Sequence, residues 1–222
     1  VDDALASDGS LPIELALRTL APAGAVDGPL LAALAGVVER FASTPSIEGR
    51  FTSLRVPSSA WPALEAHHVY RFDGDPRARA RSLRLVAGTE PPASLEDLDV
   101  VRYARVAASR GGERAFTSDG VACEARLRWT HARLVRHRDD YWPGMLNPIG
   151  IQPLGGSDRA HTPPGAIAGT LRHAFAGVLP RLPPGGRRAT AAFLAILWIH
   201  PFLNGNKRLA RAVANEELAA AG

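Results

Sequence analysis

Apolar residues recur three and four positions apart in several stretches of the chain, which is the spacing of a helix that buries one face. The stretches with this spacing cover residues 12–20, 29–42, 94–107, 121–137 and 166–179. Residues 187–199 differ because they are apolar on nearly every side after the first turn, which predicts a helix in the middle of the molecule. Strand signals are confined to residues 149–154, so we predict a mostly α fold.

Local residues predict where some of these helices begin. Asp27 can start the helix over 29–42, and Ser94 with Asp97 resembles a capping box at the start of the helix over 94–107. Such residues supply side-chain acceptors to N–H groups that no helical carbonyl can reach. Both starts are therefore testable in a structure.

Two loop-rich stretches organise the chain. Residues 109–120 combine Gly, Ser and charged residues and indicate a linker, which predicts an N-terminal helical region over 1–115 and a core over 116–222. Residues 138–165 are rich in Pro and Gly, and so long a connection inside a compact domain is usually functional.

Composition narrows the class of protein. The 222 residues are 46% hydrophobic and 22% charged, as in an ordinary soluble protein. No apolar stretch reaches the roughly 18 residues of a membrane helix, so we expect a cytoplasmic protein without membrane contact. The single cysteine, Cys123, excludes an intramolecular disulfide and argues against structural zinc. The net charge of +4 comes from arginines scattered among acids, so nucleic-acid binding is not expected.

Residues 200–211, HPFLNGNKRLAR, follow the apolar helix and contain residue types that the chain otherwise avoids. They include the only lysine, Lys207, and two of the four asparagines, Asn204 and Asn206. Pro201 cannot continue the preceding helix, so the chain must turn there before a last helix begins. We call residues 200–211 the motif.

The turn predicts an anion site. Backbone N–H groups of the loop and of the next helix's first turn would point into one concavity. Arg208 and Arg211 lie three apart, so both can lean toward it, and together with Lys207 they suit a polyphosphate. His200 would lie at the rim, where an imidazole with the ordinary pKa near 6.5 suits a general base.

The motif resembles the signature of the Fic family, His-Pro-Phe-x-(Asp/Glu)-Gly-Asn-Gly-Arg-x-x-Arg. The resemblance covers roughly residues 116–222 and implies a Fic-type helical bundle with a short β-hairpin flap. Fic enzymes are nucleotidyltransferases that use Mg²⁺ and ATP to attach AMP to a Ser, Thr or Tyr hydroxyl. The implied partner is therefore a target protein bearing such a hydroxyl, or the enzyme itself, and a homodimer is compatible with the family.

The resemblance also implies residue roles. His200 would be the general base that deprotonates the target hydroxyl, and Asn204 would be a weak Mg²⁺ ligand because it offers a carbonyl oxygen without charge. The residues that would bind the nucleotide are Asn204, Gly205, Asn206, Lys207, Arg208 and Arg211. The flap that would pair with the target as an added strand consists of Gly150, Ile151, Gln152, Pro153 and Leu154.

A second resemblance lies upstream of the core. Residues 44–49, TPSIEG, fit the (Ser/Thr)-x-x-x-Glu-(Gly/Asn) inhibitory helix of many Fic proteins, and Thr44 with Pro45 suits the start of a short helix. The resemblance implies that Glu48 pairs with Arg211 and occupies the space of the γ-phosphate. ATP would then bind in a non-productive pose.

Two departures from the signature leave alternatives open. Asn204 replaces the acidic residue, which permits a scaffold that binds nucleotide or a partner without turnover. Lys207 replaces the second glycine, as in the Doc branch, where a reversed nucleotide makes the enzyme a kinase. Arg211 is usually missing from Doc-type chains, so its presence favours adenylylation. Because only 11 residues follow Arg211, the resemblance predicts further core helices outside this sequence.

Simpler roles also exist for some of these residues. Arg208 and Arg211 could neutralise Glu216 and Glu217 on the last helix. His131 lies on a predicted core helix, where we expect a packing or hydrogen-bonding residue.

Overall fold

The structure, a computed structural model, describes residues 24–44, 76–108, 116–149 and 161–220. Its α-helices are α1 (Gly28–Ser43), α2 (Pro76–Val86), α3 (Leu95–Ala108), α4 (Gly120–Val135), α5 (Ile167–His173), α6 (Gly186–Ile199) and α7 (Asn206–Ala219). A π-helical turn, Ala174–Val178, continues α5, and 3-10 turns occupy Asp139–Tyr141, Pro164–Ala166 and Leu179–Arg181. No strand occurs in the described ranges, so the mostly α prediction is confirmed for them. The predicted hairpin flap lies outside these ranges and gains no support.

The helix starts predicted from local residues are confirmed. The Asp27 carboxylate accepts a hydrogen bond from the Leu30 N–H at 3.1 Å, in the first turn of α1. The Ser94 hydroxyl accepts one from the Asp97 N–H at 3.2 Å, in the first turn of α3. Each side chain satisfies an N–H that would otherwise lack a helical partner.

The basic stretch over residues 76–86 forms α2, although its sequence predicted no helix. Its buried residues, Ala78, Ser82 and Leu85, are four and three positions apart and therefore share one face. Helix α2 packs along α3. Arg, Ala and Leu have high helical preference, and burial of this face adds to it.

Helix α6 lies at the centre of the described core, as its apolar sequence predicted. It packs extensively against α7 and also against α1, while α7 contacts α3 and α4. This arrangement brings the C-terminal end of α6 and the N-terminal end of α7 together beside α3 and α4. The buried residues of α6 include Ala191, Ala192, Ala195, Ile196 and Ile199.

Other predictions fall outside the described ranges or are not tested by them. The helix over 12–20 and residues 45–49 of the inhibitory segment lie outside. The division of the chain between residues 115 and 116 stays a prediction. Within the described ranges, no helix combines the length and the apolar character needed to cross a membrane.

Candidate functional site

Helix α6 ends at His200, whose backbone is left-handed with φ at 52°. The His200 N–H donates to the Ile196 carbonyl at 2.9 Å and completes the last turn, and Pro201 ends the helix. A left-handed non-glycine residue costs roughly 1–2 kcal/mol, so the neighbouring contacts must hold it there. The turn predicted at Pro201 is confirmed.

The side chain of Asn206 clamps the loop between α6 and α7. Its Oδ1 accepts a hydrogen bond from the Phe202 N–H at 3.0 Å, and its Nδ2 donates to the Phe202 carbonyl at 2.7 Å. The same Nδ2 lies 3.2 Å from Nδ1 and 3.3 Å from Nε2 of His200. One buried amide therefore fixes both the loop backbone and the position of the imidazole.

His131 on α4 supports the other side of the loop. Its ring stacks on Phe202 with centroids 3.8 Å apart. The Gly144 N–H donates to His131 Nδ1 at 3.0 Å, so Nε2 carries the proton and donates to the Asn204 carbonyl at 2.9 Å. Burial lowers the pKa of His131 to about 4, which keeps the ring neutral at pH 7. The predicted packing and hydrogen-bonding role of His131 is confirmed.

Gly205 leads into α7 with φ at 78°, a conformation that favours glycine. A Cβ at this position would lie 3.0 Å from His131 Nε2 and 3.0 Å from Val135 Cγ1. Among the described residues, no side chain at the N-cap hydrogen-bonds the first turn of α7. The N–H groups of that turn are thus left for solvent or an anion.

A cavity of about 630 Å³ lies at this helix start. Two cationic side chains, Lys207 and Arg208, and two imidazoles, His161 and His200, line it. No carboxylate belongs to the described residues that line the cavity. Cations at a helix N-terminus favour an anionic ligand, because both the side chains and the exposed N–H groups carry positive charge. The other lining residues are Leu197, Leu203, Asn204, Gly205 and Asn206.

The rings of His161 and His200 stack in this cavity, with centroids 4.4 Å apart and planes inclined by 28°. The Nδ1 of His161 donates to the Trp198 carbonyl at 3.3 Å, which holds the second ring in place. Burial and, after it, the neighbouring His161 lower the pKa of His200 to about 4. His200 is therefore neutral at pH 7 and can accept a proton, but it is a weaker base than a histidine of ordinary pKa.

Arg208 lines the cavity and also pairs with a buried carboxylate of α3. Its Nη1 donates to Asp99 Oδ1 at 2.8 Å, and its Nη2 donates to Asp99 Oδ2 at 3.1 Å. Glu216 and Glu217, the acids considered from the sequence, pair instead with arginines of α4 and α6. The acidic partner of Arg208 is thus Asp99.

Arg211 differs from Arg208, because it is not among the described residues that line the cavity. It is partly buried one turn further along α7. Its predicted partner Glu48 lies outside the described ranges, as do the flap residues 150–154, so both assignments stay predictions. The structure does place the two ends of the segment that contains the flap: the Asn147 N–H donates to the Pro201 carbonyl at 2.8 Å, and His161 stacks on His200.

Residues 122–218 match the model of the Fic/DOC family. This part of the chain is a Fic domain. The family resemblance of the motif is thereby confirmed. Fic proteins are generally transferases that use nucleotide substrates with Mg²⁺ and modify target proteins. Comparisons with curated proteins and with solved structures found no match to this chain.

The Fic domain's cavity does not offer Mg²⁺ a protein site of its own among the described residues. Mg²⁺ prefers carboxylate oxygens, and the described lining residues include none. The Asn204 Oδ1, predicted as a weak ligand, already accepts the Gly205 N–H at 2.8 Å. No cluster of three metal-ligating side chains occurs in the described ranges. A Mg²⁺ ion bound to ATP would therefore enter as part of the substrate.

Two residues of the Fic domain's cavity region were missed by sequence reasoning, His161 and Asp99. Asp99 lies on the buried face of α3, four residues before Tyr103 and seven before Val106. A carboxylate on such an apolar face indicates a buried cationic partner, so this signal was available. His161 follows a Gly- and Pro-rich stretch, and no pattern in the sequence connects it with His200.

Proposed function

We propose that this chain is a protein adenylyltransferase, which transfers AMP from ATP to a Ser, Thr or Tyr hydroxyl of a target protein or of itself. The observation that carries the proposal is the cationic cavity at the start of α7, with the neutral His200 in its wall. Lys207, Arg208 and the first-turn N–H groups suit the phosphates of ATP. The family membership adds the reaction class, a nucleotide-dependent transfer to proteins.

The proposed reaction is one displacement at phosphorus. The target's hydroxyl oxygen attacks the α-phosphorus of ATP, the bond from that phosphorus to the oxygen bridging to the β-phosphate breaks, and pyrophosphate leaves. The hydroxyl proton passes to a ring nitrogen of His200, which is unprotonated at pH 7. The negative charge of a bound triphosphate would raise the pKa of His200 and so strengthen it as a base.

The flap and the inhibitory segment complete the proposal. We place the docking of the target on residues 150–154, and the hydrogen bond from Asn147 to Pro201 and the stacking of His161 on His200 support this by starting and ending that segment at the motif. Glu48 is proposed to pair with Arg211 and to hold the enzyme inactive. We keep residues 1–115 as the N-terminal helical region that carries the inhibitory motif and residues 116–222 as the Fic core.

Lys207 favours a second candidate function, phosphorylation of the target by the γ-phosphate. This residue stands where the Fic signature has glycine, and its side chain lines the cavity. A cation at this position can bind a terminal phosphate in a reversed nucleotide. The third candidate is a scaffold that binds nucleotide or a partner without turnover. It is favoured by the described cavity wall, which has no carboxylate to bind Mg²⁺.

The deciding experiment supplies Mg²⁺ with ATP that is labelled either at the α- or at the γ-phosphate. The wild type and Glu48→Gly are incubated alone and with candidate targets. Transfer of the α-label supports adenylylation, transfer of the γ-label supports the kinase, and no transfer by either protein supports the scaffold.

His200→Ala is the catalytic control. We expect transfer to fall by about 10²–10⁴-fold, the usual contribution of general acid–base catalysis. Undiminished transfer would show that His200 is not the base. His173→Ala is a matched control, because this exposed histidine of α5 lies outside the cavity and its loss should leave transfer unchanged.

A further inference from the structure

Asp99 is a buried carboxylate that accepts hydrogen bonds from Arg208 of the motif, although it precedes the family match in the sequence. It lies on α3 with 1% of its surface exposed, whereas the match begins at residue 122. Four side-chain contacts surround it. Arg208 donates to both carboxylate oxygens, at 2.8 and 3.1 Å, while His137 Nε2 donates to Oδ1 at 2.7 Å and Arg138 Nη2 donates to Oδ2 at 2.9 Å.

The paired contact sets the orientation of Arg208. Two parallel N–H···O bonds between a guanidinium and a carboxylate fix both the position and the plane of the guanidinium. The carboxylate itself cannot shift easily, because His137 and Arg138, in the turn that follows α4, both donate to it. The Arg208 head is therefore held in one place in the cavity wall.

The pairing does not remove Arg208 from the cavity wall. Arg208 and Arg138 share the Asp99 carboxylate, and Arg138 also donates to the exposed Glu96 at 3.4 Å, so these four charges balance, while Lys207 lines the same cavity. Arg208 lines the cavity while it is bound to Asp99. It need not leave Asp99 to meet an anion there, which distinguishes this contact from a lock that must open.

We propose that Asp99 is a positioning residue for nucleotide binding: through its two hydrogen bonds it holds the Arg208 guanidinium in the orientation that contacts the phosphates of ATP. This inference rests on the proposed function. It also means that α3, which precedes the family match, supplies part of the nucleotide site.

The test measures ATP binding in the presence of MgCl₂ by calorimetry, and separately the KM and kcat of transfer. Asp99→Asn keeps the size of the side chain but removes the charge and one of the two acceptors. We expect ATP binding at least tenfold weaker and a matching rise in KM, with a smaller change in kcat. Glu90→Gln is the matched control, because it makes the same carboxylate-to-amide change at a residue that pairs with Arg81 and Arg84 outside the cavity, and it should change ATP affinity less than twofold.

A second variant covers the case in which Asp99→Asn does not fold. Arg208→Lys retains the positive charge but cannot form the paired contact, and we expect it also to weaken ATP binding at least tenfold. In the double variant, Asp99→Asn should add little to the loss caused by Arg208→Lys, because both remove the same interaction.

The outcomes separate this inference from the proposed function. If the wild type binds ATP and either Asp99→Asn or Arg208→Lys binds it equally well, the positioning role is overturned while the proposed function stands. Tighter ATP binding by Asp99→Asn would also overturn it, because Asp99 would then compete with the phosphates. If the wild type itself binds no ATP, the proposed function fails and this inference fails with it.

Discussion

Replacing Gly205 by alanine should destabilise the protein through two separable terms. The backbone at Gly205 has φ at 78°, which costs an alanine roughly 1–2 kcal/mol. The new Cβ would also lie 3.0 Å from His131 Nε2 and 3.0 Å from Val135 Cγ1. The His131 ring cannot move aside without losing its stacking on Phe202 and its two hydrogen bonds, so overpacking adds about 1–3 kcal/mol. Alanine also lowers the conformational entropy of the unfolded chain relative to glycine, which offsets about 0.4–1 kcal/mol of this loss.

We therefore expect Gly205→Ala to lower the free energy of unfolding by about 2–4 kcal/mol in urea titrations. Gly88→Ala is the matched control, because Gly88 has φ at 74° but no heavy atom within 4 Å of an added Cβ. It should show the backbone term alone, at about 1 kcal/mol or less. If Gly205→Ala lost no more stability than Gly88→Ala, the proposed steric conflict with His131 would be refuted.

Three further predictions concern protons and regulation. Because the folded-state pKa of His131 is about 4, below its ordinary 6.5, the unfolded chain binds a proton between pH 6.5 and 4 that the folded chain does not. The free energy of unfolding should therefore decrease by about 3 kcal/mol as the pH falls from 6.5 to 4. Unfolding titrations of His131→Gln should lack this pH-dependent decrease. The lowered pKa of His200 should place the acid limb of kcat/KM for ATP, which reports the nucleotide-free enzyme, near pH 4, and a midpoint near 6.5 would contradict it. Glu48→Gly should raise the rate of auto-modification, because it removes a carboxylate that competes with the γ-phosphate for the same space. We expect an increase of about tenfold, which corresponds to about 1.4 kcal/mol of competition. Unchanged auto-modification would remove the inhibitory assignment.

Much of the helical architecture could be predicted because its causes are local. Asp27 and Ser94 cap the first turns beside them, and Pro201 ends α6 because it has no N–H to donate. Helix α2 was not predicted, because arginines alternate with small or apolar residues along it and this alternation obscures the face that packs against α3. The family of the core followed from twelve consecutive residues, since the motif's spacing is itself a local pattern.

The cavity's chemistry depended on residues far apart in the sequence. Asp99 meets Arg208 across 109 positions, and His161 stacks on His200 across a long connection. Arg208 and Arg211, which the three-residue spacing placed on one face, differ in the structure because only Arg208 is among the described lining residues of the cavity. Helical spacing gives the angle between two side chains but not the surface that each one meets.

By itself, the sequence determined the helices with local start and stop signals, the central position of α6, the turn after His200 and the family of the core. Only the tertiary structure decided the protonation of His200 and the partner of Arg208. The physical reason is that a pKa and an ion pair depend on burial and on the charges within a few ångströms, and packing assembles both from distant parts of the chain.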